Sequence, residues 1–319
     1  MAEYADPLLN DIAARLDADD PGIRRVAVLE LPDSGEPEAV ELMVRALRDP
    51  DVGVRQEAAK VVDEFEAADM AEALLAALGD EDEVVRNAAA HALADLKDPA
   101  AASPLLEALI ASRDPFVVAG ILRALKPLRV AAAAEPALNR LDDADPTVRR
   151  EAVGVLGYLK DPARLARLME VARQDPDAEV RRTAVGTLVY GEAATVGPVL
   201  IESLADDHWQ VRCEAALAAG KLEIVEATEP LIAATGDSLW QVREKAANAL
   251  GSLGAVAAVD AIGACAVDAM SNVRKTAVGA LGALGHSSCR RYVEQALEDP
   301  DPDVRKVARW AQSRLQDVA

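Results

Sequence analysis

One phrase recurs down the whole chain: an acidic residue or two, a few turn residues, Val-Arg, then an Ala-rich stretch. Its arginines are Arg24, Arg55, Arg86, Arg149, Arg181, Arg212, Arg243, Arg274 and Arg305, and Val118 holds the same phase between Arg86 and Arg149. That makes ten copies spaced 31 or 32 residues apart. A unit of this length holds a pair of helices and cannot bury its own apolar faces. A fixed period therefore implies that each copy stacks on its neighbours.

Within a copy, the apolar positions of the second helix fall three and four residues apart, as at Val85, Ala89, Ala92, Leu93 and Leu96, the stripe of an amphipathic helix. First helices are expected over segments such as 38–47 and 100–111, and second helices over 54–65 and 85–96. An aspartate four residues before the arginine (Asp20, Asp51, Asp82, Asp114, Asp145, Asp177, Asp301) is placed to cap the second helix. Proline follows it at Pro21, Pro115, Pro146 and Pro302, where a first-turn proline is tolerated. Only 3% of residues are aromatic, so the core must be built from Ala, Leu and Val. The expected fold is all-α: a right-handed α-solenoid of ten helical pairs forming a single domain over residues 1–319. Each recurring arginine is expected to reach an aspartate of its own or the neighbouring turn, forming a ladder along one edge.

The phrase D-x-x-V-R-x-x-A-A-x-A-L, as in Asp82 to Leu93 and again from Val242 to Leu250, resembles HEAT repeats, and more narrowly the HEAT-like repeats of the phycobilisome-lyase type. The resemblance spans essentially the whole chain. It implies second helices on a concave side where partners dock. It also implies two roles: a protein-binding scaffold or assembly factor, or alternatively a lyase subunit or accessory protein handling a bilin-like tetrapyrrole.

The formal charge of −21 is the wrong sign for a phosphate-binding surface and argues against nucleic acid as partner. No apolar run approaches the roughly 18 residues of a membrane span. Three scattered cysteines without CxxC spacing fit a reducing, cytoplasmic setting. H-E-x-x-H, G-x-S-x-G and phosphate-loop motifs are absent, so neither catalysis nor a cofactor is expected. His286, Cys289 and Cys265 are ligand types, but the cysteines are offset by seven residues in repeat phase, about 10 Å along a helix, which favours ordinary packing. Gly279, Gly282 and Gly285 read as sites of close helix approach and helix termination.

The breaks in the pattern point to a site. In three consecutive copies the capping aspartate is replaced by His208, Leu239 and Met270, and Trp209 and Trp240 follow the first two in identical phase. Equal phase places such residues on adjacent layers, about 10 Å apart. Two readings stay open: a docking strip for another protein, or tryptophans that cover the turn of the next repeat. Asp206, Asp237 and Asp268 remain nearby and could cap in part. Taking twelve residues from each repeat arginine, the second-helix segments sum to +12 and the remainder to −33. The less acidic inner face could accept an acidic partner. The expected contact residues are His208, Trp209, Leu239, Trp240 and Met270, with Arg182, Cys213 and Lys275 nearby.

Overall fold

The computed structural model describes residues 4–65 and 67–316, and among the described residues the chain is helical with no strand. It divides into two compact units, Met1–Leu159 and Lys160–Ala319. The first unit carries α1 (Pro7–Leu16), α2 (Pro21–Glu30), α3 (Ala39–Ala46), α4 (Val52–Val61), α5 (Ala67–Leu78), α6 (Glu83–Ala94), α7 (Ala102–Ala111), α8 (Pro115–Leu128), α9 (Ala134–Leu138) and α10 (Pro146–Leu159). The second carries α11 (Leu165–Gln174), α12 (Ala178–Thr187), α13 (Ala193–Ser203), α14 (Trp209–Lys221), α15 (Thr228–Ala234), α16 (Trp240–Ser252), α17 (Val259–Cys265), α18 (Ser271–Leu284), α19 (Arg290–Ala296) and α20 (Pro302–Gln316).

Odd-numbered helices are the first members of each pair and even-numbered helices the second. In the first unit α2, α4, α6, α8 and α10 pack successively side by side, and in the second unit α12, α14, α16, α18 and α20 do the same. This is the stacked solenoid the period implies. The seams are apolar. The valine before the ladder position is 0% exposed at Val54, Val85, Val148, Val180, Val211, Val242, Val273 and Val304. Alanines such as Ala58, Ala89, Ala152, Ala184, Ala215, Ala246, Ala277 and Ala308 are equally buried. Small side chains let the second helices approach closely. A Cβ added to Gly251 would lie 2.6 Å from the Ala280 Cβ and 2.9 Å from its Cα, so α16 and α18 meet nearly backbone to backbone.

Helix starts differ from expectation by two residues for a simple reason. Helix α4 starts at Val52 and α6 at Glu83, right after their caps Asp51 and Asp82, because the cap and not the first buried residue sets the start. Some first helices open with a 3₁₀ turn, as Pro99–Ala101 does before α7. Second helices end on left-handed backbone at one repeat phase, with φ +50° at Arg129, +52° at Lys160 and Glu223, +65° at Gly254 and +62° at Gly285.

Candidate functional site

The aspartates that precede the ladder arginines divide their work by position. Those four residues before it cap the second helix. Asp82 accepts the N–H groups of Val84 and Val85 at 3.0 and 3.1 Å, and Asp177 accepts those of Glu179 and Val180 at 2.9 and 3.1 Å. Asp20, Asp51, Asp114, Asp145 and Asp301 cap in the same way. Aspartates six residues before the arginine instead receive the ladder. Arg212 donates Nε and Nη2 to Asp237 at 2.8 and 3.1 Å, while its Nη1 donates to the carbonyls of Asp206 and Asp207 in its own turn. Equivalent rungs join Arg24 to Asp49, Arg55 to Asp80, Arg181 to Asp206, Arg243 to Asp268 and Arg274 to Asp299. A fork-to-carboxylate pair fixes orientation as well as distance, so each rung sets the register of two turns. At these six arginines the ladder therefore runs to the next repeat's turn.

Helices α14, α16 and α18 lack the first kind of aspartate. Their cap residues His208, Leu239 and Met270 adopt the extended backbone of an N-cap, yet none makes a side-chain cap hydrogen bond. Asp206, Asp237 and Asp268 help only partly, accepting the N–H of His208, Leu239 and Met270 themselves at 2.8 Å. Leu239 is 37% and Met270 39% exposed. Trp209 and Trp240 begin their helices half-buried, and the His208 ring stacks on the Trp209 indole at 6.5 Å between centroids. The His208 Nδ1 and the Gln241 Oε1 beside the tryptophans are buried with no hydrogen-bond partner. Since α14 packs on α16 and α16 on α18, the structure lines these starts along one edge of the second unit.

The other expected contact residues occupy the position after the ladder arginine. Arg182 on α12 bonds Glu179 at 2.8 and 3.0 Å, and Lys275 on α18 is half-buried. Glu244 fills this position on α16, within 3.7 Å of Lys245, and the sequence reading passed it over. Cys213 on α14 is half-buried, and burial pushes its thiol up to about 11, which leaves it protonated at neutral pH and a poor nucleophile. Burial likewise raises Cys265 to about 11, and Cys289 is 0% exposed. The His286 ring contacts the Ser288 hydroxyl at 2.7 Å. No group of His, Cys, Asp and Glu poised for a metal occurs among the described residues, and no described helix is long and apolar enough to cross a membrane. One feature escaped the sequence reading altogether: the Arg86 side chain has no ion pair among the described residues, and its guanidinium lies over the Phe116 ring.

The family description HEAT repeats matches residues 9–76, 54–126, 132–193 and 197–270. The chain belongs to the HEAT-repeat family. Among solved structures, this HEAT-repeat protein is similar to an engineered protein at 20% identity, covering 98% of this chain and 99% of that one with a TM-score of 0.52. It is similar to YibA of Escherichia coli at 16% identity, covering 99% of both chains with a TM-score of 0.54. It also resembles a chain of a Kap95:Nup1 complex at 15% identity and a TM-score of 0.64, covering 97% of this chain and 50% of that one. At these identities the likeness is one of fold. No curated protein matches.

Proposed function

We propose that this HEAT-repeat protein is a non-catalytic, cytoplasmic scaffold that docks a partner protein along the edge formed by the starts of α14, α16 and α18. Its contacts would be Trp209, Leu239, Trp240 and Met270, flanked by His208, Arg182, Cys213 and Lys275. The observation that carries this reading is the run of three uncapped helices. Every other second helix starts on a capping aspartate, whose replacement by a residue that cannot cap costs about 1 kcal/mol. Three successive departures of that kind, two of them exposing large apolar side chains, suit a surface shaped for contact. Solved solenoids of similar fold, including a chain of the Kap95:Nup1 complex, occur in protein complexes, which agrees with the reading.

The experiment compares affinity capture from the source organism using wild type, Trp209→Ala/Trp240→Ala and Leu239→Asp/Met270→Asp. The aspartate pair restores two caps, so it should raise stability by about 1 kcal/mol per helix while losing the partner that wild type recovers. Equal recovery of that partner by all three proteins would refute the proposal.

A further inference from the structure

The arginine–aspartate ladder is interrupted inside the first unit. The position six residues before Val118, where Arg86 would find its carboxylate, is Ser112. The Ser112 hydroxyl still performs the local task of that position, accepting the Asp114 N–H at 3.3 Å as Asp80 accepts that of Asp82 at 2.8 Å. It cannot perform the other task. The Arg86 side chain is left with no hydrogen bond or ion pair among the described residues, and its Nε is buried without an acceptor. Its guanidinium lies 5.2 Å from the centroid of the Phe116 ring. An unanswered guanidinium is conspicuous in a chain with 55 acidic and 34 basic residues.

Phe116 is 37% exposed and also lines a groove of about 430 Å³, whose apolar floor is Ala90, Ala119 and Gly120. Arg123, one turn beyond Ala119, lines the same groove, as do Asp114 and Asp145. Arg123 is 40% exposed and donates to Glu151 at 3.3 Å. Elsewhere in this molecule the geometry a ladder arginine accepts is fixed: a carboxylate taken bidentately at 2.6–3.1 Å by Nε and Nη2.

We infer that Arg86 and the Phe116 groove form a docking site for an acidic segment of a partner protein. An aspartate or glutamate of that partner pairs with the fork of the half-buried Arg86, which turns to free its buried Nε and complete the missing rung, and an apolar residue next to it lies against Phe116. Charge complementarity selects this occupant, because a carboxylate satisfies a fork that the chain satisfies with its own aspartates at the other rungs. The site is independent of the edge proposed above, which lies wholly in the second unit.

The test uses the full chain labelled with ¹⁵N and the probe acetyl-Asp-Leu-amide, with acetyl-Asn-Leu-amide as the neutral control. The Arg86 Nε–H resonance is identified by its loss in Arg86→Lys. The aspartate probe should move this resonance saturably, and the asparagine probe should bind at least about tenfold more weakly. In Ser112→Asp the rung closes internally, so the resonance should start displaced and no longer respond. The inference is overturned by any of four results: no aspartate-specific response, an undiminished response in Ser112→Asp, a larger response to inorganic phosphate, or a displacement driven by protein concentration alone, which would make a second copy the occupant.

Discussion

Replacing glycine by alanine inside a helix normally stabilises it by about 1 kcal/mol, because glycine loses more backbone freedom on folding. In the second unit this rule should hold at one glycine and reverse at another. At Gly279 of α18 the new Cβ would lie 3.7 Å from the Val307 Cγ1, an ordinary contact, so Gly279→Ala should gain most of that 1 kcal/mol. At Gly251 of α16 the same atom would come within 2.6 Å of the Ala280 Cβ and 2.9 Å of the Ala280 Cα. The nearer atoms belong to α18 itself and have no rotamer to yield, so the helices must separate by roughly 1 Å, forfeiting dispersion contacts along the seam. Overpacking of this kind costs about 1–3 kcal/mol, which outweighs the helix-propensity gain and leaves Gly251→Ala about 1 kcal/mol less stable than wild type. The two variants should therefore differ by about 2 kcal/mol. Urea unfolding followed by circular dichroism measures this, with amide exchange in α16 and α18 assigning the loss to the seam. If Gly251→Ala proved as stable as Gly279→Ala, close backbone approach could not be what glycine provides there.

Two further predictions concern the turns. Hydrogen bonds from Arg243 and Arg274 hold the carboxyls of Asp268 and Asp299 below the ordinary carboxylate range. A group depressed in the fold contributes stability above its unfolded value of about 3.9 and loses it as pH falls through the folded value. Asp268→Asn should thus cost about 2 kcal/mol at pH 7, between the figures for exposed and buried pairs, and its deficit should shrink below about pH 4 in a pH series of urea midpoints. Glu223 sits at φ +52° where the next repeats have Gly254 and Gly285, so Glu223→Gly should raise stability by about 1 kcal/mol in thermal unfolding.

Much of this was legible in the sequence, because it rests on spacing. The period placed the paired helices, and the residue four before each arginine announced its cap, since Asp at that offset has few other uses. Which aspartate the arginine grips was harder to read. In Asp49-Pro50-Asp51 both carboxylates stand near the turn, and only the stacking of the next helix decides that Asp49 takes Arg24 while Asp51 caps α4. The edge residues His208, Leu239 and Met270 were legible as substitutions, but how far each indole sinks depends on packing that no periodicity encodes. The isolation of Arg86 had a visible signal in Ser112. Reading it requires knowing that a ladder arginine reaches the next repeat's turn, which only the stacking decides.

The rungs also bear on how such a chain can lengthen. In every rung described above the arginine and its aspartate are 25 residues apart, so each rung ties one helical pair to the turn that opens the next. Insertion of an entire helical pair leaves every such tie intact, because it brings its own fork and acceptor. Selection on such an architecture favours duplication in whole units, and a lapse in the series, as at Ser112, is a place where an outside chain can be admitted.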